Sequence, residues 1–169
     1  MPAREIIIDF DQFDLNKVVA DIEEIRRYNP QRFEMEQLTA VVYDDPVSRI
    51  SVGYKDIGAN EFWARGHMPG MPIMPGVVMC EAAAQLSSYQ TQKHDLLGAA
   101  MVGFGGMEEI RFRDLVVPGD RFVVMAQMVR CRRGAMITSR FQGYVGETLV
   151  VEGSIKGVPL PVDAIRAQR

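Results

Sequence analysis

The sequence predicts an α+β fold in which an antiparallel sheet wraps around one buried helix. Two observations carry this. Residues 75–92 (PGVVMCEAAAQLSSYQTQ) have helix formers throughout, no glycine after Gly76, and apolar residues on nearly every side of the first three turns, the mark of a helix with no solvent face. Downstream, strand-like runs follow one another with only short turns between them, which favours a meander over a parallel βαβ arrangement.

The elements follow in order. Residues Arg4 to Phe10 form a short β-rich run. Asp14 offers an N-cap to a segment whose Leu15, Val18, Val19, Ile22 and Ile25 keep helical spacing, and Pro30 ends that helix near Asn29. Two weaker strands, Gln37 to Tyr43 and Arg49 to Ile57, flank the turn-like Asp44-Asp45-Pro46. Pro75 suits the first position of the long helix. Strands are then expected at 99–104, 109–117, 121–131, 135–145 and 148–158. Gly105-Gly106, Pro118-Gly119-Asp120, Arg133-Gly134 and Gly146-Glu147 are the turns between them. In the fourth run Ile137, Ser139, Phe141 and Val145 alternate with Thr138, Arg140, Gln142 and Tyr144, as in a half-buried strand.

Composition narrows the function. With 169 residues, 47% apolar and 24% charged, the chain fits one globular domain, 1–169, and can bury roughly 70% of its unfolded surface without staples. No repeat or linker divides it. Lys and Arg number 19 against 22 Asp and Glu, a net charge of −3, which argues against nucleic acid as the main partner. The start, MPAREIIIDFDQF, has acids where a secretory leader needs an apolar run, and no apolar stretch approaches the ~18–20 residues that span a bilayer. A cytoplasmic location without membrane insertion is expected. Cys80 and Cys131 lie far apart without ligand spacing, so they are expected to be reduced and structural, with no metal site.

The chemistry concentrates in residues 66–85, GHMPGMPIMPGVVMCEAAAQ. Three prolines and three glycines between positions 66 and 76 make a stiff extended loop that carries His67 to the start of the helix. Glu81 stands in the second turn among apolar neighbours, where a carboxylate is costly unless paired and desolvation favours the protonated form. Gln85, one turn on, falls on the same face. A histidine base with a carboxylic acid is the pair that removes an α-proton and expels a β-hydroxyl as water. Free N–H groups at the helix start, with Gly76 allowing close approach, can stabilise the developing oxyanion. The ordinary alternatives stay open for each residue alone: a loop-orienting histidine, a carboxylate facing the helix dipole, and methionines that fill a core.

The stretch resembles the signature of the FabZ-type (3R)-hydroxyacyl-[acyl-carrier-protein] dehydratases, G-H-F-P-x-x-P-x-x-P-G-V-x-x-x-E-A-x-A-Q, at every fixed position except Met68. The similarity extends over about residues 20–158, through Pro30-Gln31-Arg32, Lys55 to Trp63, Phe104 to Phe112, Val116 to Asp120 and Arg132-Arg133-Gly134. It implies a hotdog fold with His67 and Glu81 as the catalytic pair and no cofactor. The acid would reach the histidine of a neighbouring subunit, so that a homodimer, commonly three per hexamer, is the working unit. It further implies that the Gly76 N–H at the helix start, beside Val77, polarises a thioester carbonyl, and that the Ile73 carbonyl orients His67. Glu at position 81 resembles the dehydratase-only branch. Departures from the pattern are Gln31 for a histidine, Glu34 to Leu38 for an apolar segment, and Gly103 for a tyrosine that often gates the acyl tunnel. Residues 1–14 have no counterpart.

Arg111, Arg113, Arg130, Arg132 and Arg133 cluster around two strands. They are either a solvated face or a docking surface for an acidic acyl carrier protein. The expected reaction is dehydration of a 3-hydroxyacyl carrier-protein thioester in fatty acid biosynthesis. The alternatives are hydration of enoyl-CoA, thioester hydrolysis, and acyl binding without turnover.

Overall fold

The apolar run after Pro75 forms helix α2 (Gly76–Lys93), and the rest of the molecule is arranged around it. The computed structural model describes residues 5–167. Six strands, β1 (Ala40–Asp45), β2 (Ile50–Asp56), β3 (Val102–Phe112), β4 (Arg121–Arg132), β5 (Met136–Val145) and β6 (Thr148–Pro159), make one sheet in the order β1-β2-β4-β5-β6-β3. Every pairing is antiparallel. The chain leaves β2, runs through a long loop and α2, enters the sheet at its far edge as β3, and returns to the middle as β4. Helix α2 therefore crosses the inner face, the hotdog arrangement of a sheet wrapped around a helix.

Alternation along β4 explains the two-sided burial. Phe122, Val124 and Ala126 point inward and pack with Met79, Cys80, Ala83 and Leu86 of α2. Val123 and Met125 point outward, yet are as fully buried, because the N-terminal segment lies across the outer face and packs Ile7 and Ile8 on Val42, Val52, Tyr54 and Tyr144. The helix approaches the sheet at Gly53, where a Cβ would come within 3.2 Å of the Leu86 side chain of α2.

This outer layer corrects the expectation for residues 4–10. Arg4 lies outside the described residues, and 6–10 form no strand. The Ile7 N–H donates instead to the Gln142 side chain at 2.8 Å. For the same reason β5 is buried on both faces from Phe141 to Tyr144, where the alternation predicts one.

The first helix is also shorter than expected. Helix α1 (Ile22–Tyr28) is capped by Asp21, whose side chain accepts from the Glu24 N–H at 2.9 Å. Asp14 caps only a turn, accepting from the Asn16 N–H at 2.8 Å. Val18 and Val19 keep helical spacing but are exposed, and the N–H groups of Val19 and Ala20 turn to the Val41 carbonyl. A β-branched pair beside the edge strand β1 finds better partners in a bridge than in a helix.

The runs 99–104 and 109–117 are one strand, not two. Gly105-Gly106 is a bulge within β3, with a register shift between Phe104 and Gly106, and it bends the strand as the sheet curls. β3 stops at Phe112, because the N–H groups of Arg113 and Asp114 both turn to the Val150 carbonyl. A short helix α3 (Val162–Ala167), unanticipated in the sequence, ends the described chain. Among the described residues no helix is long and apolar enough to cross a membrane.

Candidate active site

The loop between β2 and α2 is held from both sides. The Ile57 N–H donates to the Asp120 carbonyl, the Gly119 N–H to Ile57, and the Met74 N–H to Val116, so the Val116–Asp120 turn grips the loop at its start and end. Within it, the His67 N–H donates to the Trp63 carbonyl at 2.8 Å and the Ile73 N–H to the His67 carbonyl at 2.8 Å. Met68 and Met71 exchange backbone hydrogen bonds across the intervening turn. His67 is thus exposed but fixed.

Its ring orientation follows from one contact, 2.7 Å between Nδ1 and the Ile73 carbonyl oxygen. A carbonyl only accepts, so Nδ1 carries the proton, and in the neutral ring Nε2 presents its lone pair. Nε2 is the atom available as a base.

Helix α2 begins immediately after the loop, with Pro75 at its cap. Pro75 has no side-chain acceptor, so the N–H groups of Gly76 and Val77 point out of the helix end without a capping side chain. Phe112 at the end of β3 covers this spot. A Cβ on Gly76 would fall 2.6 Å from its ring, which explains why glycine stands there.

Glu81 lies on a stripe of α2, with Val77, Ala84 and Ser88, that is less buried than the rest. Val77 is 66% exposed, and Glu81, Ala84 and Ser88 are half-buried. The helix is therefore not sealed on every side, as its composition suggests, but open along this stripe in a single chain. Gln85 donates from Nε2 to the Glu81 carboxylate at 2.7 Å and to the Met35 carbonyl at 2.6 Å. Its Oε1 accepts from the Gln37 N–H at 2.9 Å. Gln85 is 2% exposed, so this clamp is rigid. Met35 and Gln37 fall in the segment 34–38 where the sequence departs from the FabZ pattern, and only their backbone atoms take part, which leaves no trace in side-chain identity.

Glu81 also opens on a cavity of about 70 Å³ between α2 and the sheet, with Gln31, Ala84, Ser88, Gly103 and Ser139 on its walls. His67 does not line it, and no hydrogen bond joins His67 to Glu81 among the described residues. Within one chain the two groups do not meet.

The arginines do not form one patch. Arg111 pairs in register with Glu152, whereas Arg132 pairs with Met136, beside the Ile137–Gly157 pair. The two groups are therefore roughly 20 Å apart along the sheet, at about 3.3 Å per residue. Arg113 is ion-paired with buried Glu152, and Arg133 with Asp95. Sequence proximity misled here because β3 and β4 run in opposite directions. Cys80 is buried next to Glu81 on the helix, and burial pushes its thiol up to about 11, so it packs as a small apolar group. Cys131 is half-buried.

Comparison with known proteins meets this geometry. The model of the FabA-like domain matches residues 29–154. The chain belongs to the FabA-like family. Its relatives include the 3-hydroxyacyl-[acyl-carrier-protein] dehydratase FabZ of Pelotomaculum thermopropionicum, 33% identical over 135 residues, which are 80% of this chain and 95% of the relative. FabZ of Desulfotalea psychrophila is 34% identical over 138 residues, 80% of this chain and 90% of the relative. Among solved structures, the dehydratase heterocomplex ApeI:P from Xenorhabdus doucetiae superposes with a TM-score of 0.70 at 14% identity, covering 86% of this chain and 97% of that one. Cj0977, a sigma28-regulated virulence protein from Campylobacter jejuni, superposes with a TM-score of 0.63 at 15% identity, covering 85% and 94%. At these identities the superpositions show the hotdog fold alone. The FabA-like match takes in the whole site, from Gln31 through His67 and Glu81 to Phe112, and leaves the N-terminal layer outside it.

Proposed function

We propose that this FabA-like chain is a hydro-lyase that dehydrates (3R)-hydroxyacyl thioesters of acyl carrier protein to trans-2-enoyl thioesters. The observation that carries the reading is the pair of clamped side chains: His67 with Nδ1 bound by Ile73 and Glu81 held by Gln85. His67 Nε2 takes the α-proton. The thioester carbonyl accepts from the Gly76 N–H, where the helix end favours the enolate oxygen. Glu81 gives its proton to the leaving hydroxyl, and water departs. The proton on His67 then returns to solvent or to Glu81, restoring the pair.

Because the two groups do not meet in one chain, the reading requires a second copy that brings its Glu81 to this His67. The surface supports that requirement. β3 is an edge strand with Phe104, Met107 and Phe112 exposed, next to exposed Val77 on α2, and a long apolar edge is a template for pairing. For the carrier protein, Arg111 beside Phe112 is the nearer of the two arginine groups to the helix start.

The test follows enoyl absorbance as a trans-2-enoyl and a 3-hydroxyacyl thioester interconvert, on carrier protein and on CoA. Wild type turns over, and His67→Ala and Glu81→Gln each lower kcat by roughly 10²-fold or more. Inert wild type on both carriers, while folded, would overturn the reading. Preference for CoA would reassign the carrier, and release of free thiol would reassign the reaction.

A further inference from the structure

The cavity beside Glu81 has a mixed wall. Apolar Ala84, Val102 and Ile155 are interrupted by Gln31, Ser88 and Ser139. At about 70 Å³, it holds only about five to seven water-sized groups, at 10–15 Å³ each. At Gly103 on its β3 wall a Cβ would come within 2.5 Å of Leu160, so Leu160 fills the room any larger residue at 103 needs.

Gln31 is the unusual group. Its Oε1 is sealed from solvent and accepts no hydrogen bond, and its Nε2 donates to none of the described residues. The oxygens of Asn29 and Gln37 are likewise buried without a partner, but those amides are anchored through their nitrogens, Asn29 donating to the Gln85 carbonyl at 2.9 Å and Gln37 to the Glu34 carbonyl at 2.7 Å, and neither lines the cavity. Gln31 is half-buried, and its sealed Oε1 presents an unused acceptor at a cavity wall. An alkyl chain seated there would leave Oε1 buried without a partner, which is unfavourable. A hydroxyl satisfies it by donating to Oε1.

We propose that this cavity receives a short acyl group bearing a hydroxyl beyond the reacting carbons, and that Gln31 is the specificity-determining residue that reads that hydroxyl. The inference rests on the acyl-thioester reading above. It goes further by naming the class of acyl group. Discrimination of this kind is asymmetric: a site with an unpaired polar group rejects the analogue that lacks the matching hydroxyl more strongly than an apolar pocket rejects one methylene.

The experiment compares 3-hydroxyhexanoyl and 3,5-dihydroxyhexanoyl pantetheine thioesters, matched in length, with the full chain as wild type and as Gln31→Leu, which removes no intramolecular hydrogen bond. Turnover gives kcat/KM, and calorimetric titration of His67→Ala gives binding without chemistry. The expected result is that wild type favours the dihydroxy compound by roughly tenfold or more, in kcat/KM and in affinity, and that Gln31→Leu abolishes or inverts the ratio. Gln31→Asn, which keeps an amide, retains part of it. Equal or opposite preference in wild type, or an unchanged ratio in Gln31→Leu, overturns the proposal, as does failure of both thioesters to bind. If neither is turned over but the dihydroxy compound binds preferentially, the dehydratase reading fails and the role of Gln31 stands.

Discussion

Gln85 and Glu81, one turn apart on α2, are joined by a hydrogen bond of 2.7 Å, and the same amide fastens the helix to the backbone of residues 35 and 37. The acid is therefore aimed by a side chain whose own position is set from a different part of the chain. Replacing Gln85 with Leu frees the carboxylate and leaves the buried Gln37 N–H unpaired, a cost of about 1–3 kcal/mol. A lower urea midpoint is expected together with a fall in kcat larger than any rise in KM. Loss of stability with unchanged kcat would remove Gln85 from the site.

Gly76 is constrained by Phe112 as much as by chemistry. In Gly76→Ala the new methyl would lie 2.6 Å from the ring, so the ring must move and the helix start becomes less accessible. Activity should fall by roughly tenfold or more, and Gly76→Ala/Phe112→Ala, which restores the room, should recover stability before activity. Thermal melts and initial rates on the three proteins separate the two effects.

The N-terminal layer is structural. Ile8 is 5% exposed against the outer face of the sheet, the face opposite α2. Ile8→Ala should cost about 2–5 kcal/mol, with kcat/KM at a permissive temperature within about twofold of wild type. A matching loss of kcat/KM would tie this layer to the site.

Acid should loosen the joint between α1 and the segment before β1. Arg26 binds Glu36 through two nitrogens at 2.6 and 2.9 Å, and this hydrogen bond holds the Glu36 carboxyl below its ordinary range. A depressed folded-state value means that the stabilisation is fully present above the unfolded carboxylate value, about 4.3, and is lost as pH falls from there through the lower folded-state value. Glu36→Gln should flatten the stability profile on the acid side of that range and leave it unchanged in shape above. Denaturant midpoints across pH 3–7 measure this, and an unaltered acid limb would contradict it.

Residues 66–85 were legible because each signal is local: prolines stiffen the loop, the helix follows at once, and Glu81 and Gln85 share a face by helical spacing. The two-residue alternation of β5 was legible from Ile137 to Arg140 for the same reason, and failed from Phe141 to Tyr144, where the N-terminal layer covers the outer face. What escaped depends on contacts between distant residues. Ile7 and Ile8 read as a strand, but the partner they meet is the outer face of the sheet. Gly105-Gly106 signals a break in either of two forms, and only the curl of the sheet chooses the bulge. Arg113 and Arg133 look available until Glu152 and Asp95 are found beside them. The Met35 and Gln37 contacts to Gln85 use backbone atoms, to which the sequence is silent.

The central claim is that the base of one chain works with the acid of another, and mixed dimers test it most directly. His67→Ala and Glu81→Gln chains, each inactive alone, are unfolded together and refolded as a mixture. If the site is shared, a mixed dimer has one intact site of its two, and random pairing restores about one quarter of wild-type activity. If the mixture stays as inactive as its parts while dimers form, the pair acts within one chain or not at all, and the shared-site mechanism is wrong.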